Sequence, residues 1–315
     1  MAGLEFEKPI VELEKKIQEL KKFTSDKNID LSSEVKRLEE KLEHLRKDTY
    51  NKLTAWQRVQ LARHPQRPYT LDYINMMMTD FIEIHGDRLF ADDKALITGF
   101  AKIDKRKIVV MGHQKGRDTK ENLKHNFGCA HPEGYRKALR VMQMAEKFGL
   151  PVVIFIDTPG AYPGIGAEER GQAQAIATNL REMTNIATPI IATVIGEGGS
   201  GGALGVGIAD KVCVLENSYY SVISPEGCAA ILWKDGAKAP QAAEVLKLTG
   251  EDLLQMGLID EIISEPMGGA HRDPQQAAAN IKKMLLENLK ELIALDKDEL
   301  LKLRYKKFRN MGVVS

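Results

Sequence analysis

A run of glycines after an apolar segment constrains this chain more than any other part of its sequence. Residues 189–195 (PIIATVI) are apolar and rich in β-branched residues, which predicts a buried strand. Residues 196–202 (GEGGSGG) predict a tight turn, and the small apolar residues 202–209 predict a helix packed inside a core. This order places free backbone N–H groups and the positive end of a helix dipole together. Such a place can hold an anion, or an oxygen that becomes one.

The residues of this turn leave several interpretations open. The run lacks the Lys-Ser/Thr ending of a nucleotide phosphate loop, so that interpretation is weak. A dinucleotide fingerprint is also disfavoured, because Asp210 and Glu216 follow too early to be the ribose-binding acid. A purely structural tight turn is the third possibility. The functional interpretation is an oxyanion hole whose donors are the N–H groups around Gly201 and Gly202.

Composition narrows the class of protein. The net charge of +1 over 315 residues gives no overall attraction to nucleic acid or to an acidic membrane surface. Cys129, Cys213 and Cys228 form no CxxC pair, so neither a metal site nor a disulfide framework is expected. No apolar run reaches the length of about 18 residues that a membrane span needs. We therefore expect a soluble cytoplasmic protein without a signal segment.

Residues 1–50 are predicted to form an N-terminal helical hairpin. Apolar residues recur at spacings of three and four within residues 10–20 and again within 31–45. A polar break at residues 24–28 separates the two stretches. Each helix would cover the narrow apolar stripe of the other. Two roles remain open: a clasp on the chain's own domain, or an arm that reaches a partner subunit.

The remainder divides into a main domain, residues 51–295, and a C-terminal helical tail, residues 296–315. Within the main domain, the spacing of apolar residues predicts a helix over 70–82. His85 and Asp87, which follow that segment, are candidates for catalysis or for a turn, and their position favours the turn. The tail is highly charged, and we expect it to pack on a partner or to fray.

From residue 96 the sequence alternates between strands and helices, which predicts an α/β fold. Residues 95–103 and 107–112 predict two paired strands, and the apolar residues 152–156 predict a central strand of a parallel sheet. A basic loop follows the second of these strands. It is either a solvated loop or a binding segment for a phosphate-bearing substrate, and its candidate residues are Lys115, Arg117 and Lys120.

A second glycine turn strengthens the oxyanion hypothesis. Residues 157–164 (DTPGAYPG) follow the strand at 152–156, and a helix is predicted over 168–183. Both turns therefore stand at the carboxyl ends of strands that we expect to be neighbours, where α/β sheets bind ligands. Ser200 lies in the first turn, but no His or Asp has the spacing of a triad partner. A covalent serine mechanism is weakly supported.

These turns belong to a larger set of motifs that occur in one order along the chain. They lie at residues 126–138, 157–164, 168–172, 196–204, 220–229 and 265–271. Together they closely resemble the alpha subunits of the bacterial acetyl-coenzyme A carboxylase carboxyltransferase. The resemblance extends from the N-terminal hairpin to the C-terminal helices.

The resemblance implies a fold and a set of partners. The fold would be that of the crotonase superfamily, with repeated ββα units and oxyanion holes at helix starts. The subunit would be active only with a zinc-ribbon-bearing beta subunit, in an alpha2-beta2 heterotetramer. Biotin carboxylase and the biotin carboxyl carrier protein would be the further partners. Beta would supply most of the acetyl-coenzyme A site, and alpha would face carboxybiotin.

The resemblance also implies a reaction, the transfer of a carboxyl group to give malonyl-coenzyme A for fatty acid synthesis. The N–H groups of Gly201 and Gly202 would stabilise the ureido oxygen of biotin as carboxybiotin gives up its carboxyl group. The biotin anion would remove a proton from acetyl-coenzyme A, so no side-chain base and no covalently bound cofactor are expected. The carboxybiotin pocket would be lined by Gly160, Ala161, Tyr162, Pro163, Gly198 and Gly199.

Two other classes of function are weighed against this one. A self-contained crotonase-type acyl-coenzyme A hydratase or decarboxylase would need an acid/base carboxylate in this chain. The candidates for that group are Glu168, Glu169, Glu197 and Glu226. A scaffold without catalysis would use the glycine turns only for packing, and the presence of two such turns in consecutive units argues against it.

Overall fold

The computed structural model describes residues 4–27 and 31–312. Its first two helices, α1 (Lys8–Lys27) and α2 (Ser32–Tyr50), pack on each other around Ile10, Ile17 and Leu42. The helices lie where the apolar spacing predicted them. The predicted polar break at residues 24–28 falls partly outside the described residues.

The hairpin is held to the rest of the chain by charged side chains. The buried carboxylate of Glu7 accepts a hydrogen bond of 2.6 Å from the Tyr50 hydroxyl. Arg272 lies 3.5 Å from Glu7 and 3.5 Å from Glu14, and so links the hairpin to the main domain. These contacts fit a clasp on the chain's own domain, while the role as an arm to a partner stays a prediction.

The main domain is built on one eight-stranded sheet. Its strands are β1 (Thr79–Glu83), β2 (Leu96–Ile103), β3 (Arg106–His113), β4 (Val152–Thr158), β5 (Ile190–Gly199), β6 (Lys211–Leu215), β7 (Tyr219–Ser221) and β8 (Glu261–Ile263). The order is β1-β2-β3-β4-β5-β6-β8, and β7 pairs with the end of β5. The first three strands are antiparallel, and the pairs from β3 to β8 are parallel.

Helices cover both faces of this sheet. They are α3 (Ala55–Ala62), α4 (Thr70–Met77), α5 (Thr119–Lys124), α6 (Pro132–Phe148), α7 (Ile165–Glu169), α8 (Gln172–Met183), α9 (Ser200–Leu204), α10 (Pro225–Trp233), α11 (Ala239–Leu246), α12 (Gly250–Gln255), α13 (Pro274–Ile293) and α14 (Lys297–Arg309). Val109 and Ile154 face one core, which includes residues of α6 and α8. Val110 and Phe155 face the other, which includes residues of α4 and α13. The alternation of faces along each strand produces the two cores.

One irregularity in the sheet lies beside the first glycine turn. Strand β4 pairs in register with β5 up to the pair Ile156 and Val194. The next pair is Thr158 with Gly198, so β5 gains two residues relative to β4 over this step. The extra length lies around Gly196, and the end of β5 then pairs with β7 instead of β6. The glycine turn thus begins from a bulged strand.

Three helix predictions are wrong in detail. The helix expected over 70–82 ends at Met77, and 79–83 form the edge strand β1. Thr79, Phe81 and Ile82 are β-branched or aromatic, and pairing with β2 outweighs the helical spacing.

The helix expected over 168–183 breaks at Gly171, whose φ of 81° is left-handed. The helix expected over 202–209 is only the five residues of α9. Pairing with β7 keeps the preceding glycines extended as far as Gly199.

The C-terminal tail is helical over Lys297–Arg309, and the expectation that it frays is wrong for these residues, while packing on a partner stays a prediction. Helix α14 packs on its own chain through Arg304, whose side chain is fully buried. Arg304 donates to both carboxylate oxygens of Asp210, at 2.8 and 2.7 Å. It also donates to the carbonyl oxygens of Met183, Ile186 and Thr188. Five hydrogen bonds to one guanidinium explain why this charged segment is ordered.

Candidate functional site

The two predicted glycine turns meet at one edge of the sheet. Strands β4 and β5 are neighbours, and their carboxyl ends carry the turns 158–164 and 198–202. Gly202 lies against the other turn so closely that an added Cβ would stand 2.4 Å from the carbonyl carbon of Gly160. The same Cβ would stand 2.6 Å from the nitrogen of Ala161. A side chain at position 202 would therefore force the two turns apart.

A pocket of about 530 Å³ opens between these turns. Its lining includes residues of both turns together with α8 and the segment after β7. The lining residues are Pro159, Gly160, Ala161, Tyr162, Pro163, Glu168, Gln172, Ala173, Ile176, Ser200, Gly201, Val222, Ile223 and Ser224. Its volume falls within the range of about 300–1,000 Å³ that is usual for small-molecule sites.

The predicted site residues fall into two groups in relation to this pocket. Five of them line it: Gly160, Ala161, Tyr162, Pro163 and Gly201. The other three, Gly198, Gly199 and Gly202, are buried behind it. A Cβ on Gly199 would stand 2.3 Å from the carbonyl oxygen of Pro159, and one on Gly198 would stand 2.9 Å from the Tyr220 ring. The structure therefore gives these buried glycines a packing role, and their predicted functional roles stay predictions.

The junction between β5 and α9 has an unusual backbone. Ser200 has a φ of 53°, although it is not a glycine, and its side chain is exposed in the pocket. Left-handed residues at such junctions are sparsely populated and are found at ligand sites. The first N–H groups of α9 have no acceptor within the helix itself. Their predicted role as donors to an oxyanion stays a prediction.

Tyr162 forms the wall of the pocket opposite this junction. Its ring stacks on His131, with centroids 4.1 Å apart. Its N–H donates to the carbonyl of Ala130, and its own carbonyl accepts from the side-chain amide of Gln172 at 3.0 Å. Gly160 is fixed in turn by Thr158, whose hydroxyl accepts its N–H at 3.1 Å. The wall is thus held on both sides before any ligand binds.

A network of buried charges lies beneath the two turns. The ammonium group of Lys115 donates to Asp157 at 2.6 Å and to Glu197 at 2.9 Å. Glu197 also accepts from Arg63 at 2.7 Å and from the Tyr219 hydroxyl at 2.7 Å. This network joins the ends of β4 and β5 to α3 and β7.

The network fixes the charge of its members. Burial opposes ionisation of Glu197, but Lys115 and Arg63 outweigh it and lower the pKa of Glu197 to about 2. Burial lowers the pKa of Lys115, but the two carboxylates beside it raise that pKa well above its usual value. Glu226 is paired with Arg63 at 2.5 Å. Glu197 and Glu226 are thus held as ion-paired anions, which does not suit a general acid.

The structure also shows where the other residues that the sequence offered as candidates lie. Of the three basic residues proposed for phosphate binding, Lys115 is a mostly buried member of the network. Arg117 stacks on Tyr69 and pairs with Asp72. Lys120 is exposed on α5. Asp87 has the predicted turn role, since one carboxylate oxygen accepts three backbone N–H groups, those of residues 89–91.

Sequence reasoning missed Asp157, Arg63 and Tyr219 as members of the charged network. Asp157 was present in the motif 157–164, but nothing in the sequence marked its ion-pair partner Lys115, 42 residues earlier. The available signal was that Asp157 directly follows the apolar residues 152–156 of β4, where a charged residue must find a partner.

Comparison with known proteins decides the family. A family model described as acetyl co-enzyme A carboxylase carboxyltransferase-like matches residues 3–312. The chain belongs to this family.

Curated relatives agree with this membership. A protein of Geobacillus kaustophilus named acetyl-coenzyme A carboxylase carboxyl transferase subunit alpha is 58% identical over 315 residues, covering 100% of this chain and 97% of its own. A protein of the same name from Thermus thermophilus is 57% identical over 309 residues, covering 98% of each chain. The family predicted from the sequence motifs is confirmed: the chain is an alpha-type subunit of a transferase.

Solved structures confirm the crotonase-type α/β fold. A transcarboxylase 12S structure with methylmalonyl-coenzyme A bound has a TM-score of 0.55 at 20% identity, covering 71% of this chain and 44% of that one. A Pseudomonas malonate decarboxylase hetero-tetramer in complex with coenzyme A has a TM-score of 0.56 at 15% identity, covering 68% and 85%. At these identities the likeness shows the fold alone.

Membership of the carboxyltransferase family does not favour the alternative of a self-contained hydratase or decarboxylase.

Over residues 4–27 and 31–312, no cluster of three or more His, Cys, Asp or Glu side chains is arranged to hold a metal ion. None of the helices in that part of the chain has the length and apolar character needed to cross a membrane.

Proposed function

We propose that this chain, together with a beta subunit, transfers the carboxyl group of carboxybiotin to acetyl-coenzyme A and forms malonyl-coenzyme A. Membership of the carboxyltransferase family sets the reaction class. The observation that carries the proposal is the pocket in which Gly160, Ala161, Tyr162 and Pro163 face Gly201 across the carboxyl ends of β4 and β5. Carboxybiotin is the substrate of this pocket, delivered on the biotin carboxyl carrier protein after biotin carboxylase has acted.

The glycine turn fits a carbonyl oxygen that gains negative charge. Gly201 is half-buried at the pocket surface, in the first turn of α9, where backbone N–H groups lack helical acceptors. Fixed donors of this kind are typically worth about 3 kcal/mol of barrier each. Gly202 lies behind the pocket surface, and because it has no side chain, α9 can approach Gly160 closely. We assign Gly201 to the oxyanion hole and keep Gly202 as its second proposed donor.

The pocket has few side chains that could serve as an acid or a base. This supports a mechanism in which the departing biotin anion takes the proton from acetyl-coenzyme A. Glu197 and Glu226 are paired with Arg63, and Glu197 does not line the pocket. Glu168 does line the pocket, and it is exposed at the start of α7. Glu168 is therefore the residue that the alternative, a self-contained hydratase or decarboxylase, would have to use.

Exposed apolar side chains beside the pocket support a partner subunit. Ile165 is 74% exposed next to the wall 160–163, and Val222 is 81% exposed on the opposite side. Exposed apolar surface around a site is typical of an interface that another chain completes. We propose that the zinc-ribbon-bearing beta subunit covers this face and supplies the acetyl-coenzyme A site in an alpha2-beta2 assembly.

The remaining parts of the proposal concern the domain organisation of the chain and its location in the cell. The hairpin (1–50), the carboxyltransferase domain (51–295) and the helical tail (296–315) are its three units. We place the complex in the cytoplasm, because the free cysteines, Cys129, Cys213 and Cys228, suit a reducing compartment.

The test measures malonyl-coenzyme A formation from carboxybiotin and acetyl-coenzyme A, with this chain alone and with a beta subunit. Activity only in the mixture is expected, and activity of the chain alone would contradict the shared site. Gly201→Val is the sharpest variant, since a Cβ at Gly201 meets only the Ile176 side chain, at 3.5 Å. The added side chain extends into the pocket, and assembly with the beta subunit is checked before activity is measured.

The expected loss in Gly201→Val is about 100-fold in kcat/KM, because the donor geometry is blocked. Glu168→Gln tests in the same assay whether the transfer needs a side-chain base. Retained activity in Glu168→Gln supports carboxyl transfer without such a base, whereas loss of activity with intact assembly would show that Glu168 serves as one. Unchanged activity in assembled Gly201→Val would remove the glycine turn from the mechanism.

A further inference from the structure

Lys115 connects the two strands whose ends form the pocket. Its ammonium group donates to Asp157 Oδ1 and to Glu197 Oε1, so it bridges residues close to the carboxyl ends of β4 and β5. Asp157 Oδ1 also accepts the backbone N–H of Glu197 at 2.9 Å. This bond is made where β5 bulges, so the carboxylate replaces the acceptor that a regular ladder would supply.

Two glycines leave room for this arrangement. A Cβ on Gly196 would stand 2.5 Å from Asp157 Oδ1, and one on Gly128 would stand 2.9 Å from the carbonyl oxygen of Asp157 and 3.1 Å from the Lys115 side chain. The backbone is thus shaped around the ion pair on two sides. The side chains of Lys115, Asp157 and Glu197 are 12%, 2% and 9% exposed, so water does not screen their interaction effectively.

We propose that Lys115 is a positioning residue for the carboxyl transfer, which sets the distance between the turn 158–163 and the turn 198–202. The inference rests on the proposed function of the pocket. Lys115 does not line the pocket, and it acts through Asp157 and Glu197. Without the ammonium group, two buried carboxylates that share one donor repel each other, and the ends of β4 and β5 separate.

A small separation has a large effect on the reaction. Gly201 lies in one turn and Tyr162 in the other, so a shift between the turns moves the oxyanion donors relative to the wall of the pocket. A displacement of about 1 Å in a catalytic site can lower a rate by about 100-fold. The acetyl-coenzyme A site, which we place largely on the beta subunit, does not depend on this distance.

The experiment uses the assembled alpha–beta enzyme with Lys115→Met in alpha. We expect kcat to fall by about tenfold or more, while KM for acetyl-coenzyme A stays within about twofold. Amide hydrogen exchange in residues 158–163 and 198–202 should rise by about tenfold, because the turns lose their common anchor. Lys307→Met is the matched control: Lys307, on α14, pairs at 2.8 Å with Asp260, which directly precedes the edge strand β8, away from both turns.

Lys307→Met should leave kcat and the exchange of both turns unchanged, even where it lowers the melting temperature. If Lys115→Met does not assemble, Tyr219→Phe decides the question. It removes the 2.7 Å hydrogen bond to Glu197 and the 3.3 Å hydrogen bond that the hydroxyl accepts from Arg63. A fall of about threefold in kcat with faster exchange of 198–202 is expected.

If assembled Lys115→Met has the kcat and the amide exchange of the wild type, the inference is overturned. Where Lys115→Met does not assemble, the same result in Tyr219→Phe overturns it. The unmodified enzyme is measured in the same assay. Its failure to form malonyl-coenzyme A would contradict the proposed function, whereas the exchange data would still report whether Lys115 holds the turns.

Discussion

Gly202 lies against the backbone of Gly160, with space for a hydrogen atom and for nothing larger. An added Cβ at Gly202 would stand 2.4 Å from the Gly160 carbonyl carbon, a separation that real Cβ atoms do not adopt. The neighbouring Gly201 differs, because its added Cβ would meet only the Ile176 side chain at 3.5 Å. Close packing against Gly160 therefore excludes a side chain at Gly202 but not at the adjacent Gly201.

This difference predicts that two alanine substitutions have unequal effects on stability. Gly202→Ala should lower the free energy of unfolding by about 1–3 kcal/mol, because backbone atoms must move. Gly201→Ala should change it by less than about 1 kcal/mol, since ordinary contact distances remain. Urea unfolding followed by circular dichroism measures both. Equal losses in the two variants would show that the contact with Gly160 is not what excludes a side chain.

Tyr162 should affect substrate binding more than stability. Tyr162→Ala removes the ring that stacks on His131 and forms one wall of the pocket. We expect KM for carboxybiotin to rise by about tenfold, in line with the loss of one aromatic contact of about 1 kcal/mol and its buried area. The melting temperature should change little, because the ring is 36% exposed.

Tyr305→Ala provides the control for this substitution. Tyr305 is exposed on α14, and its loss should leave KM for carboxybiotin unchanged. Steady-state kinetics at saturating acetyl-coenzyme A separates the two variants. A Tyr162→Ala enzyme with normal KM would place carboxybiotin elsewhere.

Glu197 should make stability depend on pH in the acid range. Despite burial, Lys115 and Arg63 hold the pKa of Glu197 at about 2, below its value of about 4.3 in an unfolded chain. A group with a depressed folded pKa stabilises the fold above its unfolded pKa and loses that contribution as the pH falls through its folded pKa. The contribution of Glu197, on the order of 3 kcal/mol, should therefore be lost between about pH 5 and pH 2.

The measurement compares urea unfolding of wild type and Glu197→Gln from pH 6 downwards. Wild type should lose stability more steeply than Glu197→Gln over the accessible acid range, so their difference shrinks as the pH falls. Glu169→Gln, at an exposed position, should follow the wild-type slope. Parallel slopes for wild type and Glu197→Gln would contradict the depressed pKa.

Arg304 should be the residue on which the C-terminal helix depends. Its guanidinium is fully buried and bonds Asp210 and three backbone carbonyls. Arg304→Met leaves the Asp210 carboxylate buried without its arginine partner, and we expect a loss of about 3–5 kcal/mol in the free energy of unfolding. Lys302→Met, on the exposed face of α14, should lose less than about 0.5 kcal/mol. Similar losses in both variants would mean that α14 adds little to stability.

The sequence was sufficient to predict the alternation of strands and helices from residue 95 onwards and the meeting of the two glycine turns. Apolar runs at 152–156 and 189–195 identify strands directly, and consecutive parallel strands place their turns at one edge. The family followed from motifs in their order along the chain. These features are local in sequence, which is why they can be read from it.

The charged network and the edge strand β1 could not be predicted in the same way. Lys115, Asp157 and Glu197 lie far apart in the chain, and nothing local in the sequence pairs them with one another. The segment 79–83 fits both a helical and an extended pattern, and only pairing with β2 decides between them. Contacts between residues far apart in the chain thus determine these two features, and the local spacing of residues does not reveal them.

The bulge between β4 and β5 has a consequence for chain length. Because β5 gains two residues there, an even number, the residues after the bulge keep the alternation of faces that β5 has before it. Deleting two residues around Gly196 would therefore preserve which way Gly198 and Gly199 face. Deleting one would exchange their faces, and the turn that carries Gly201 would leave the edge of the sheet rotated away from Tyr162.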